Sequence, residues 1–250
     1  MREGWRRLLL LAVLLGSLAF IFSLAPIGQS AGYHRFADQR VVLGVPNFFD
    51  VSSNIAFLLV GAAGLAFCRA DRSLSLRAAW LTFFAGIAVV SAGSAHYHVN
   101  PNNGTLVWDR LPMTIASMGL FAAILGEYVD ERLGRIVLVP AVLLGLFSVL
   151  YWRWFADLRF YFWIQLIPLL TVPAVLILFR SRYSHGWVLL VAVALYGFAK
   201  ISEAYDAEMF ALTQHLFSGH TLKHLLAALS CLAVLGMLWR RRSSEMASPS

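Results

Sequence analysis

Long apolar runs alternate with short polar or basic breaks along the whole chain. Eight of these runs approach the roughly 20 residues that a helix needs to cross the hydrocarbon core of a bilayer. They cover residues 8–27, 53–67, 78–96, 111–128, 136–152, 160–179, 187–202 and 222–239. Because runs of this length are typical of membrane spans, the pattern predicts an all-α polytopic membrane protein.

The first run allows two interpretations. It follows the basic start MREGWRR and leads into SLAPIGQSAG, whose small residues would suit signal-peptide cleavage. The run is long for a signal, so we expect a retained helix, and cleavage would leave seven spans in the same orientation. We therefore predict an N-terminal hydrophobic helix at 1–33, a seven-helix core at 34–240 and a disordered cytoplasmic tail at 241–250.

Composition supports the membrane interpretation and indicates an orientation. The chain is 60% hydrophobic and 13% charged, and its net charge of +7 comes from basic residues between the apolar runs. No basic patch points to nucleic acid. Most basic residues fall on alternate breaks, which predicts that both termini lie in the cytoplasm of a bacterial cell, although Arg153 and Arg159 oppose this orientation. The supporting residues are Arg2, Arg6, Arg7, Arg69, Arg72, Arg77, Arg132, Arg135, Arg180, Arg182, Arg240, Arg241 and Arg242.

Histidines gather at one end of the predicted bundle. His220 and His224 are four residues apart at the start of the last run, so a helix places both on one face. His98 lies at the end of the third run, four residues after Ser94. The predicted topology brings these positions, and Asp109 at the start of the fourth span, to one depth near the outer face.

Three neutral imidazoles with an open fourth position form a hydrolytic zinc site. We therefore predict that His98, His220 and His224 bind zinc, although three histidines also suit other divalent metals. The simpler alternative is that each histidine is an interfacial or hydrogen-bonded residue. His96 is the second choice for the third ligand because it points away from the face that carries Ser94 and His98. His34 has no partner at a suggestive spacing.

The other charged residues near this end have open roles. Asp109 could cap the fourth helix, act in catalysis, or do both. Lys200, Glu203 and Asp206 form a second charged group, best explained as a buried salt bridge that locks helices near the site. Lys223 is expected on another face from the histidines, where it could reach a lipid headgroup or a substrate oxygen.

These motifs together resemble the alkaline ceramidase family, within the group of seven-helix membrane hydrolases that includes adiponectin-receptor-like proteins. The likeness rests on Ser94-x-x-x-His98, on Asp109 in DRLPM, on His220-x-x-x-His224 and on PNFFDVSSNIAFLLVG at 46–61. It covers about residues 36–239. The resemblance implies hydrolysis of a sphingolipid amide, with the three histidines on zinc. It also implies that Asp109 transfers the proton and that Ser94 hydrogen-bonds the oxyanion or the water.

In the animal members of that family, an acidic cluster just before the first core helix looks like a calcium site. This chain departs from that pattern. Here that region offers only Asp38 and Asp50, with Asn47 where a carboxylate is expected, so we do not expect calcium binding. Lys223 makes the C-terminal motif more similar to bacterial relatives, whose lipid substrates need not be ceramide. Two other function classes stay open, a non-catalytic receptor-like protein with structural zinc and a transporter.

Overall fold

The computed structural model describes residues 4–241, which are mostly helical and contain one long connection, at residues 24–47, with a short 3-10 helix at Ala31–His34. The first five helices are α1 (Gly4–Ser23), α2 (Phe48–Ser52), α3 (Ile55–Ala70), α4 (Arg77–Val99) and α5 (Asn103–Tyr128). The others are α6 (Glu131–Phe155), α7 (Arg159–Leu178), α8 (Val188–Ala204), α9 (Asp206–Leu212) and α10 (Gly219–Arg240). Arg2, Arg242 and nearly all of the predicted disordered tail lie outside the described residues.

The prediction of an all-α polytopic membrane protein is confirmed. Seven helical segments are long and apolar enough to cross a membrane: α1, the α2–α3 pair, α4, α5, α6, α7 and α10. An eighth span is possible where α8 and α9 follow one another with a bend of 87°. Each of the eight apolar runs in the sequence therefore lies mainly in a helix, and the chain is an integral membrane protein.

Two predicted boundaries were wrong for identifiable reasons. Helix α1 ends four residues early, at Ser23, because Pro26 disfavours helical backbone in the residue before it. Helix α5 begins eight residues before the predicted 111, at Asn103. Its start is a capping box in which Asn102 accepts the amide of Thr105 and Thr105 accepts the amide of Asn102. Asp109 therefore lies inside α5 and does not cap it.

Helix α5 is the most buried of the long helices and packs against α4, α6 and α7. Helix α10 packs mainly against α8 and α3, while α3 also packs against α4. Helix α2 also touches both α4 and α10. Because α2 and α3 each bridge these two helices, the histidine-bearing end of α4 lies near the start of α10. This arrangement of neighbours places the site at one end of the bundle.

Residues 24–47, which we call the N-terminal connector, lie across that same end. The amide of Ile27 donates to Asp157 at 3.3 Å, and its carbonyl accepts the amide of Leu158 at 2.8 Å. Arg159 donates to the carbonyl of Leu24 at 2.6 Å. Helix α1 itself packs on α7, where the indole of Trp163 donates to Ser17. Retention of α1 in the mature protein stays a prediction.

Candidate metal centre

Three buried histidines from two helices converge at the end of the bundle. His98 comes from the last turn of α4, and His220 and His224 come from the first two turns of α10. One ring nitrogen of each lies within 4.8 Å of the others, so the cluster could hold a metal ion. It is the one group of this kind among residues 4–241. The predicted convergence of these three residues is confirmed.

The spacing of two of these nitrogens suits tetrahedral coordination. Nε2 of His98 lies 3.3 Å from Nε2 of His224. Two nitrogens that each lie about 2.0–2.1 Å from a tetrahedral zinc ion are roughly 3.3–3.4 Å apart. The donor set, three imidazoles with no cysteine or carboxylate, also suits several divalent metals, so the geometry supports a metal without identifying it.

A hydrogen-bond chain from α2 sets the tautomer of His224. The Ser53 hydroxyl donates its proton to the carbonyl of Asp50 at 3.0 Å and lies 2.8 Å from Nδ1 of His224. Because a hydroxyl has one proton, Ser53 must then accept from Nδ1–H. Nε2 of His224 is left with its lone pair facing the cluster, as a metal ligand requires.

Packing and backbone contacts orient His98. The ring centroid of Phe36, in the N-terminal connector, lies 4.7 Å from that of His98 and 4.7 Å from that of His220. The side-chain amide of Asn47 donates to the carbonyl of His98 at 2.8 Å. Nδ1 of His98 is buried without a hydrogen-bond partner among the described residues, so its ring is held by neighbouring rings.

The start of α10 is fixed by two side chains. Ser218 caps the helix by accepting the amide of Thr221 at 2.9 Å. Asp206 accepts the amide of His220 at 2.7 Å and, through its other oxygen, the amide of Ala37 at 2.8 Å. The sequence predicted that Asp206 forms one charged group with Lys200 and Glu203. Asp206 instead accepts these two backbone amides. Asp206 thus joins the N-terminal connector to the helix that carries two of the histidines.

Lys223 faces the histidines, contrary to the expectation that it lies on another face of α10. Its Nζ lies 3.0 Å from Nε2 of His220 and donates to Glu203 at 2.9 Å. Glu203 also pairs with Lys200, as predicted, but Lys200 is exposed and on the same helix, so the buried pair that joins two helices is Glu203 with Lys223. Glu203 also accepts from the hydroxyl of Tyr33 at 3.2 Å. Burial, and next the charge of Glu203, raise the pKa of Tyr33 well above its ordinary value, so this hydroxyl stays protonated and donates.

Ser94 and Asp109 lie beside the cluster. Ser94 is buried one turn before His98 on α4, and its hydroxyl interacts with the buried carboxylate of Asp109 on α5. Asp109 also interacts electrostatically with Lys223. The two residues that the sequence motifs indicate as catalytic candidates therefore do meet, whereas His96 is exposed on the outer face of α4.

Glycines allow the helices to approach closely at this site. A Cβ added to Gly93 would lie 2.1 Å from the carbonyl oxygen of Trp108, next to Ser94 and Asp109. A Cβ added to Gly219 would lie 2.1 Å from the carbonyl oxygen of Ser202. Any larger residue at either position would separate α4 from α5, or α10 from α8.

The sequence patterns did not reveal the supporting residues Phe36, Ser53 and Tyr33, or the partners of His34. His34 contacts the hydroxyl of Tyr97 and the side-chain oxygen of Asn103, each at 2.9 Å. The available signal was the polar spacing in PNFFDVSSN, where Ser53 follows Asp50 by one helical turn just before the apolar stretch IAFLLVG. That segment contributed to the family resemblance, but its spacing alone does not identify His224 as the partner of Ser53.

The two acidic residues considered for calcium have other partners here. Asp38 pairs with Arg40 at 2.6 Å. Burial opposes ionisation, but the hydrogen bonds from Arg40 outweigh it and hold the pKa of Asp38 below its ordinary value. Oδ1 of Asp50 accepts the hydroxyls of Thr221 at 2.7 Å and Ser218 at 3.2 Å. Asp50 thus supports the start of α10.

Comparisons with models of protein families, with curated proteins and with solved structures found no match to this chain. Support for an activity therefore comes from the site itself and from the motifs in the sequence.

Proposed function

We propose that this protein is a zinc-dependent membrane hydrolase that cleaves the amide bond of ceramide or a related N-acyl lipid. The observation that carries the proposal is the buried cluster of His98, His220 and His224 beside the Ser94–Asp109 pair. A metal ligand set, a carboxylate and a hydroxyl at one point in a membrane bundle are the parts that amide hydrolysis requires. The similarity of these motifs to alkaline ceramidases supports the same reaction.

The residues divide the reaction between them. Zinc, when bound, acts as a Lewis acid that polarises the amide carbonyl and favours deprotonation of water. Asp109 accepts the proton of the attacking water and delivers it to the leaving amine as the C–N bond breaks. Once Asp109 has taken that proton, it no longer needs the hydroxyl of Ser94, which can then donate its hydrogen bond to the oxygen that gains negative charge. The products are a fatty acid and an amine, which is a sphingoid base if the substrate is ceramide.

In this proposal, the N-terminal connector excludes bulk water from the histidine cluster. Phe36 covers the rings of His98 and His220, and Asp206 holds the connector through the amide of Ala37. A low-polarity site strengthens the electrostatic contribution of Asp109 and Ser94. The acyl chain would enter between helices from the bilayer.

The proposed test is release of fatty acid by purified protein from a panel of ceramides and N-acyl amino lipids, measured by mass spectrometry. Wild type should release fatty acid. His224→Ala should lose both zinc and activity, and Asp109→Asn should lose at least ~100-fold in activity while retaining zinc. His96→Ala, an exposed histidine on the same helix as His98, should behave as wild type. Equal release by all four proteins would reveal a contaminant and remove support for the assignment.

A non-catalytic protein with a structural metal is the alternative. The approach of Lys223 to His220 and the cover by Phe36 leave the cluster enclosed, which suits a structural site. Under this alternative, zinc-loaded wild type releases no fatty acid from any lipid, and Asp109→Asn changes nothing but stability.

We also propose that the protein lies in the bacterial inner membrane with the site toward the outer face. The arginines near residues 69–77 lie at the opposite end of α4 from His98, and positive residues favour the cytoplasm. A cysteine placed at exposed Gln39 should react with an impermeant maleimide on intact cells, whereas one at exposed Ser73 should not. The reverse result would invert the orientation.

A further inference from the structure

The buried guanidinium of Arg110 has an incomplete set of partners. Arg110 follows Asp109 on α5 and is 3% exposed. A guanidinium carries five N–H donors. Here Nη2 donates to the side-chain oxygen of Gln29 at 2.7 Å, while Nη1 is buried without a partner. No carboxylate within residues 4–241 forms an ion pair with this arginine.

Three aromatic rings hold the guanidinium in place. Its Cζ lies 4.2 Å from the ring centroid of Trp152, 4.7 Å from that of Tyr161 and 5.7 Å from that of Tyr33. Rings of this kind contact the flat faces of a guanidinium and leave its N–H edges free. The aromatic box of Trp152, Tyr161 and Tyr33 therefore fixes the orientation of Arg110 but does not satisfy Nη1.

The neighbouring Asp109 interacts electrostatically with Arg110 but forms no ion pair with it, and a buried cation without a paired carboxylate is costly in a membrane protein. Cation–π contacts compensate part of the charge, yet they provide no acceptor for an N–H. A carboxylate or phosphate would supply both the negative charge and the missing acceptor, and arginine binds these groups through two parallel hydrogen bonds. The partner that Arg110 lacks is thus an oxyanion.

The aromatic box adjoins the metal centre. Tyr33 faces Arg110 with its ring and donates its hydroxyl to Glu203, which in turn binds Lys223 beside His220. Tyr161 interacts electrostatically with Arg110, Asp109 and Glu203. Arg110 lies seven residues after the start of α5, roughly 10 Å along its axis, and its partner Gln29 belongs to the N-terminal connector. It therefore lies within about two helical turns of the end of the bundle that carries the connector, the side from which a charged lipid headgroup would approach.

We propose that Arg110 binds a carboxylate or phosphate of the substrate, so that the lipid cleaved at the histidine cluster is an anionic N-acyl lipid. This inference rests on the proposed hydrolase function and narrows its substrate class. The oxyanion is held beside the leaving amine, either as the carboxylate of an N-acyl amino acid or as the phosphate of a phosphorylated sphingolipid.

Two matched substrate pairs test the inference in zinc-loaded, detergent-purified protein. N-oleoylglycine and N-oleoylethanolamine differ by a carboxylate, and ceramide 1-phosphate and ceramide differ by a phosphate. Wild type should cleave the anionic member of at least one pair with a kcat/KM about tenfold higher or more. The pair that shows the preference identifies the oxyanion. If wild type prefers the anionic member of neither pair, the inference is overturned.

Variants separate recognition from a structural role. Arg110→Gln should raise KM for the anionic substrate about 10–100-fold. It should change KM for the neutral substrate by less than about threefold. Arg110→Lys should recover part of the loss because it retains the charge without the planar fork. The control Arg135→Gln removes an exposed arginine that pairs with Glu131 and should leave both substrates unchanged. If Arg110→Gln lowers kcat/KM equally for the anionic and the neutral substrate of a pair, Arg110 has a structural role only.

A binding assay distinguishes failure of this inference from failure of the hydrolase proposal. If wild type cleaves no lipid, binding of tritiated N-oleoylglycine and ceramide 1-phosphate is measured on the same proteins. Binding of either lipid that Arg110→Gln loses would support the oxyanion site without hydrolysis, and no binding of either would overturn it. If Arg110→Gln elutes as an aggregate, Arg110→Lys replaces it in the comparison with wild type. A preference of Arg110→Lys for the anionic lipid equal to that of wild type would then contradict the inference.

Discussion

Nζ of Lys223 lies 3.0 Å from Nε2 of His220, so an ammonium group contacts a nitrogen of the candidate metal cluster. An ammonium can only donate, and it therefore occupies the lone pair that a metal ion needs. A metal bound through this nitrogen must displace Lys223, which keeps a second partner in Glu203 at 2.9 Å. Lys223 thus competes with any metal that binds through Nε2 of His220.

We expect Lys223→Met to tighten zinc binding about tenfold, since it removes a charged hydrogen bond to His220 and a nearby positive charge. Zinc affinity can be measured by competition with a chromogenic chelator. Lys200→Met is the control, because Lys200 pairs with the same Glu203 and also carries a charge near His220, whereas the hydrogen bond to His220 comes from Lys223. Weaker zinc binding by Lys223→Met would mean that the lysine instead orients His220 for the metal.

Ser53 should matter for metal affinity although it is not a ligand. Its hydroxyl accepts Nδ1–H of His224 and so holds the ring in the ligating tautomer. We expect Ser53→Ala to weaken zinc binding about 10–100-fold. The neighbouring Ser52→Ala removes a hydroxyl whose contact is the carbonyl of Phe49, and it should leave the affinity unchanged. Equal affinities for wild type and Ser53→Ala would exclude this role for the hydroxyl.

Close helix contact at Gly93 should be necessary for both stability and activity. Gly93→Ala places a methyl group against the carbonyl of Trp108 and should destabilise the protein by about 1–3 kcal/mol, because α4 and α5 must separate. The shift would also move Ser94 away from Asp109. Thermal unfolding in detergent and fatty-acid release are the two measurements. Gly236→Ala, on an open face of α10, should match or exceed wild-type stability, and similar losses in both variants would refute the steric explanation.

Acid should release the connector from the α6–α7 turn. Burial raises the pKa of Asp157, but hydrogen bonds from the Arg159 side chain and from the amides of Arg159 and Ile27 outweigh it, so the pKa lies below its ordinary value of 3.8. A lowered folded-state pKa contributes stability above the ordinary pKa, and this contribution disappears as the pH falls through the folded-state value.

We therefore expect Asp157→Asn to lower the free energy of unfolding by about 1–2 kcal/mol at pH 7, and by progressively less below about pH 4. Thermal unfolding across this pH range measures the difference. Glu131→Gln breaks an exposed pair with Arg135 and should cost less than about 0.5 kcal/mol at every pH. An effect of Asp157→Asn that does not depend on pH would contradict the assignment.

The spans of this protein were predictable because lipid imposes a local rule. Each stretch that crosses a bilayer must be apolar and must satisfy its own backbone, so the helices can be recognised from the sequence one at a time. The rule is weaker at helix ends. The apolar pattern predicted that α5 begins at residue 111, although Asn102 and Thr105 form a capping box that starts the helix at Asn103.

The candidate ligands were also predictable, since the four-residue spacing of His220 and His224 places both on one helical face. The matching depth of His98 followed from the order of the spans. Distances between helices did not follow, because they depend on packing at residues such as Gly93 and Gly219, which spacing along the chain does not describe.

By itself, the sequence determined the helical membrane architecture and the residues that could bind a metal, because both depend on local periodicity and on the cost of polar groups in lipid. Only the tertiary structure decided the partners of those residues. Lys223 faces His220, Ser53 orients His224, and Arg110 lies in an aromatic box with one N–H edge unpaired. These contacts join residues from different helices and the connector, and their geometry is set by how the whole bundle packs.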